Sequence, residues 1–200
     1  MFSLILGLGN IGQQYTGTRH NLGFEVVNLV AKKLGATSMR ERPFCRAAAV
    51  LINDSDSLET ELILAWPTML MNRSGLAAGD LLGELELDPL QMLVVVDDFN
   101  LSLGALRFRT SGSDGGHNGL ASIIETLGTE DFPRLRLGIG PLADNKEVTD
   151  FVLSRFTENE LTTAERMVAL AAEAVIFAAN HRLDEAMSKF NSNPALPDEK

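Results

Sequence analysis

The sequence predicts an α/β domain, a β-sheet covered by helices on both faces. Three observations predict it. Strand-like and helix-like segments intermix along the whole chain. Residues 91–96, "QMLVVV", carry an unbroken apolar run from Met92 to Val96, as a central strand covered on both sides must. Of the 200 residues, 45% are hydrophobic and 22% charged, an ordinary balance for a globular protein with a sizeable core.

Each element has its own local reason. Residues 2–8 read as a buried strand. Residues 21–34 place Leu22, Val26, Leu29, Val30 and Leu34 at helical spacing, with Gly35 as the stop. Residues 46–52 and 61–66 read as strands. Asn53-Asp54-Ser55-Asp56-Ser57 between them is turn chemistry, so the two form a hairpin. A helix follows Asn72 and runs to about Leu85. Residues 105–109 alternate as a strand does, and residues 120–127 form a short helix ended by Gly128. Residues 134–140, "RLRLGIG", alternate basic and apolar, as a strand with one wet face would. Thr162-x-x-Glu165 is a capping box opening a long helix over 161–180, and another helix covers 182–190. Residues 1–190 make one domain; 191–200, "NSNPALPDEK", form a frayed tail.

Composition bounds the function. No apolar run approaches the ~20 residues of a bilayer span, so no membrane partner is expected. The N-terminus lacks the basic stretch of a signal peptide, and the single cysteine, Cys45, forms no internal disulfide; both point to a reducing cytoplasm. The formal net charge of −10 argues, taken alone, against a nucleic-acid partner. A basic stripe on an acidic body still satisfies one.

"LILGLGNIG", residues 4–12, fits the dinucleotide fingerprint G-x-G-x-x-G after a strand. Its context fails. Gly12 opens the polar stretch "QQYTGTRHNLG" rather than a helix, and no acid stands near positions 27–33 to hold a ribose. The glycines instead turn the backbone and set Asn10 at the carboxyl end of the first strand, where open α/β sheets bind ligands. No cofactor is expected.

Polar clusters gather at the ends of the expected strands. They are Asn10, Arg19-His20-Asn21, Met71-Asn72, Asp97-Asp98 and "GSDGGHNG" at 112–119. His20 is the candidate base, its alternative a capping histidine. A carboxylate such as Asp97 would fix its tautomer and raise its basicity. Asn10, Asn72 and Asn118 supply neutral donors for a carbonyl or oxyanion, or serve as turn and cap residues. His117 is either catalytic or a loop residue satisfied by backbone. Arg107 and Arg109 share a face of one strand and Arg134 and Arg136 of another, forming a phosphate patch or a solvated face. His20, His117 and His181 show no metal-ligand spacing, and no metal is expected. No G-x-S-x-G is present. Water activated by a His/Asp pair, with amides holding a carbonyl, suits hydrolysis of an activated acyl bond.

Together "GLGNIGQQYTGTRHNLGF", "PTMLMNRSG", "VVVDDFNLSLG", "GSDGGHNGLASIIETLGT" and "DFPRLRLGIG" resemble the bacterial-type peptidyl-tRNA hydrolases, in order and spacing, over about residues 3–190. The resemblance implies a monomeric α/β domain with a twisted mixed sheet. It implies cleavage of the ester between a peptide and the terminal ribose of tRNA, with peptidyl-tRNA as partner and no DNA. It assigns the catalytic histidine to His20, its aspartate to Asp97, and the asparagines around the peptide and terminal adenosine to Asn10, Asn72 and Asn118. Tyr15 and Met71 match positions lining the groove, and His117 falls beside them as a substrate contact. Arg109 and Arg136 match the cations that clamp a tRNA phosphate. Ile11, Trp66, Leu70 and Asn100 depart from the family's usual proline, lysine, aromatic and acid.

Overall fold

A computed structural model describes residues 2–36, 38–53, 59–142 and 147–191. Seven strands join one mixed sheet. They are β1 (Leu4–Gly7), β2 (Arg40–Glu41), β3 (Cys45–Asn53), β4 (Glu59–Pro67), β5 (Met92–Ser102), β6 (Leu106–Arg109) and β7 (Arg134–Gly140), in the order β2-β3-β4-β1-β5-β7-β6. The middle pairs β4/β1, β1/β5 and β5/β7 are parallel; the outer pairs β2/β3, β3/β4 and β6/β7 are antiparallel.

Alternation along β1 divides the core in two. Leu4 and Leu6 pack with Val94, Val96, Ala77, Leu81, Leu120 and Ile123, beneath α2 (Ser74–Glu84) and α3 (Asn118–Leu127). Ile5 packs with Leu93, Val95, Val26, Val30, Met167 and Val175, beneath α1 (Leu22–Lys33) and α5 (Glu158–Asn180). Helices therefore cover both faces, as expected. A short α4 (Val148–Val152) and α6 (Leu183–Phe190) complete the set, with Phe151 and Phe190 in the α1 and α5 core.

The β3–β4 hairpin pairs from Cys45↔Pro67 to Asn53↔Glu59. The turn residues Asp54 to Ser57, like the tail beyond Asn191, lie outside the described residues. Three expectations need correction. The box that opens the long helix is Thr157 with Glu160, so Thr162 and Glu165 lie inside α5. β5 extends past Val96 to Ser102, with a register irregularity between Asp98 and Ser102. The glycines of "LILGLGNIG" serve helix packing more than turning. A Cβ on Gly7 would meet Gly23 O at 2.4 Å, and one on Gly9 the Phe24 ring at 2.6 Å. α1 thus lies directly against β1, and only Gly12, at φ +115°, uses glycine's conformational freedom.

Strand lengths place the site. β1 is flanked by β4 and β5, and its last residue, Gly7, stands opposite Val95. β5 runs on, so Asp97 projects beyond the end of β1 at a switch point of the sheet, where such folds bind ligands.

Candidate active site

A cavity of about 230 Å³ opens at this end of the sheet. Asn10, Tyr15, His20, Met71, Asn72, Asp97, His117 and Asn118 all line it. All the expected catalytic and substrate residues are thus brought together from four stretches of the chain, 10–20, 71–72, 97 and 117–118. Arg109 and Arg136 are outside this lining.

His20 lies in a 3₁₀ turn, Arg19–Asn21, leading into α1, and its ring is buried. Its Nδ1 approaches Asp97 Oδ1 at 3.0 Å and Oδ2 at 3.1 Å. Asp97 is only 3% exposed. Burial alone would raise its pKa, but the two imidazoles of His20 and His117 facing it outweigh that and hold the carboxyl well below the usual range. An ionised Asp97 keeps the His20 proton on Nδ1 and leaves Nε2 with a lone pair.

Asn10 is held at three atoms. Its N–H donates to Asn21 Oδ1 at 2.8 Å, and Asn21 Nδ2 returns a bond to Asn10 O at 3.0 Å. Its Oδ1 accepts from Met71 N–H at 2.7 Å, which fixes the side-chain amide and leaves its Nδ2 as the donor. Ser74 Oγ in turn donates to Met71 O at 2.8 Å. Asn72 and Asn118, both exposed, also line the cavity. Leu70 and, from the α4 segment, Val148, Val152 and Leu153 add apolar side chains to the lining beside Tyr15.

His117 lines the cavity with the other expected substrate residues, and its ring is also bonded within the protein. Its Nδ1 accepts from the N–H groups of Gly119 and Leu120 at 3.1 and 3.2 Å, and its Nε2 meets Asp97 Oδ1 at 3.2 Å. Both ring nitrogens are engaged by the protein. His20, Asp97 and His117 are also the one group among the described residues whose ligand atoms could hold a metal ion, all within 4.8 Å of one another. Chain spacing concealed that convergence, because the fold and not the sequence brings the three together. In this arrangement the atoms facing one another are joined by hydrogen bonds.

The arginine strands pair as a patch requires, Arg107 opposite Arg136 and Arg109 opposite Arg134. Arg134 is nevertheless 1% exposed, so this face is not wet throughout. Its guanidinium donates to the carbonyls of Ser113, Glu130 and Phe132 and lies over the Phe132 ring, and burial pushes its pKa down to about 10. Arg136 Nη2 lies 2.7 Å from Asp98 Oδ2. Arg109 is exposed.

Sequence reasoning missed the supports. Asn21 mirrors Asn10, and Arg19, next to His20, reaches Ser154 Oγ, Ile139 O and Glu160. α4 spans five residues, too few for a helical period to register.

The family model described as peptidyl-tRNA hydrolase matches residues 4–198. The chain belongs to the peptidyl-tRNA hydrolase family. It is 41% identical to the peptidyl-tRNA hydrolase of Sulfurihydrogenibium sp. (strain YO3AOP1), covering 96% of this chain and 99% of the relative. It is 40% identical to that of Synechocystis sp. (strain ATCC 27184 / PCC 6803 / Kazusa), covering 97% and 98%. The crystal structure of peptidyl-tRNA hydrolase from Acinetobacter baumannii superposes with a TM-score of 0.89 at 30% identity, covering 98% of this chain and 97% of that one. Family membership and the mixed sheet expected from the five motifs agree. No described helix is long and apolar enough to cross a membrane.

Proposed function

We propose that the chain hydrolyses the ester between a peptide and the 3′-terminal ribose of tRNA, in the cytoplasm, returning tRNA from prematurely released peptidyl-tRNA. One observation carries the chemistry. A buried carboxylate orients an imidazole at the wall of a cavity edged by three asparagines.

His20 Nε2 takes a proton from water as the oxygen attacks the ester carbonyl. Asp97 holds the imidazole in the required tautomer and stabilises the imidazolium as it forms. Asn10 Nδ2, aimed by the Met71 N–H, donates to the oxyanion. The intermediate collapses, the ribose oxygen leaves with the proton carried by His20, and the free peptide acid departs. Asn72 and Asn118 hold main-chain amides of the peptide, so many peptide sequences are accepted. Met71 and Tyr15 supply the apolar walls. Arg109, exposed on β6, takes a tRNA phosphate; Arg136 joins it only by relinquishing Asp98.

Contacts to peptide amides also predict rejection of free aminoacyl-tRNA, which lacks the first peptide bond. The test offers purified peptidyl-tRNA, aminoacyl-tRNA and a simple carboxylic ester. Release from peptidyl-tRNA alone supports the reading. Equal turnover of the simple ester would replace it with a general esterase.

A further inference from the structure

His117 is an unusual residue to begin a helix. Ser, Thr, Asp and Asn lead at that position because a short side-chain oxygen reaches the second and third N–H groups. Here an imidazole performs that task. His117 is the N-cap of α3, and its Nδ1 accepts from Gly119 and Leu120 N–H. A nitrogen accepting two N–H bonds carries no proton, so the proton of the neutral ring is on Nε2. That Nε2 meets Asp97 Oδ1 at 3.2 Å. A Ser or Asn would cap the helix as well; only a ring with a second nitrogen on its far side also reaches Asp97.

We infer that His117 is a positioning residue, which uses the first turn of α3 to fix its tautomer and donates from Nε2 to Asp97, holding that carboxylate in line with His20. The inference rests on the hydrolase reading for its kinetic consequence and on geometry alone for the tautomer.

The surrounding chain is shaped for this task. Asp114 Oδ1 accepts from Gly116 N–H at 2.6 Å, and His117 N–H donates to Asp114 O at 3.0 Å, so the glycine-rich loop folds back to deliver the ring. Gly119 leaves it room: a Cβ there would meet His117 Cε1 at 2.9 Å and Met71 Sδ at 2.6 Å. The rings of His20 and His117 stand 4.7 Å apart at their centroids, tilted by 53°, so both approach one carboxylate without stacking. Asp97 Oδ1 receives both imidazoles, while Oδ2 faces His20 alone. Without His117 the carboxylate is free to rotate, and the His20 ring rotates with it.

His117→Asn separates the two tasks. Asparagine caps a helix well but is too short to span from α3 to Asp97. The variant should keep its thermal midpoint, lose kcat about tenfold, and keep KM. In an Asp97→Ala background it should cause no further loss, because the residue through which it acts is gone. A raised KM with kcat preserved, or an equal loss in both backgrounds, would overturn the inference and make His117 a substrate contact. Nitrogen-15 NMR of the wild-type protein reads the tautomer without any turnover. An unprotonated Nδ1 on His117 supports the inference and a protonated Nδ1 overturns it. Turnover by the wild type and its loss in His20→Ala test the hydrolase reading separately.

Discussion

Arg19 Nη2 donates to Glu160 Oε2 at 2.7 Å, tying the turn that carries His20 to the first turn of α5. The guanidinium carbon also lies 4.6 Å from the Phe151 ring centroid and 4.4 Å from that of Phe156. Residues from α4 and the segment behind it therefore clasp the neighbour of the catalytic candidate. Arg19→Ala should cost about 2 kcal/mol, between the values for exposed and for buried ion pairs. Urea unfolding measures it.

The same pair predicts part of the acid sensitivity. Burial opposes the Glu160 charge, but bonds from Arg19 and Thr157 prevail and lower its pKa below the ordinary value. A carboxyl depressed in the folded state stabilises the fold above its unfolded pKa and loses that contribution as pH falls through the folded one. Glu160→Gln should thus be less stable than wild type at neutral pH, with the gap narrowing in acid. Thermal melts across that range check the sign.

His20 and His117 hold the Asp97 carboxyl ionised well below the usual carboxylate range, so its own protonation should add no acid limb to kcat/KM near neutrality. Asp97→Asn should lower kcat by about a thousandfold, because the amide donates to Nδ1 and turns the imidazole proton toward the water. A pH–rate profile of both proteins measures the limb and the loss.

Asn10 has its acceptor occupied by Met71 N–H, which fixes the amide and leaves its Nδ2 as the donor. Asn10→Asp replaces that donor with a charge facing the developing oxyanion, and kcat should fall by about 100-fold or more. Steady-state kinetics on peptidyl-tRNA should show the loss mainly in kcat.

The two arginines assigned to phosphate should differ. Arg109 is exposed, whereas Arg136 already faces Asp98 at 2.7 Å. Arg109→Ala should lower the slope of log affinity against log salt by about one, and Arg136→Ala by less. Binding titrations at several ionic strengths give both slopes.

Much of this was legible in the chain because it rests on periodicity. The alternation of Leu4, Ile5 and Leu6 and the helical spacing of Val26 and Val30 place both cores without three-dimensional knowledge. Five-residue α4 and two-residue β2 are too short to carry a period. Arg134 reads as solvated because alternation gives a face but not what covers it; carbonyls of Ser113, Glu130 and Phe132 do. The candidate site was found by residue type at strand ends. Its supports were not, since Asn21 on Asn10 and His117 on Asp97 are contacts made by folding rather than by spacing. The helix box was misplaced because Thr157–Glu160 and Thr162–Glu165 carry the same signature five residues apart.

Water activation by His20 beside Asp97 is decided by single-turnover release of peptide from peptidyl-tRNA, by wild type and by His20→Ala at saturating enzyme. The chemical step should be lost by orders of magnitude in the variant, with tRNA binding retained. Release by the variant at the wild-type rate would remove His20 from the mechanism.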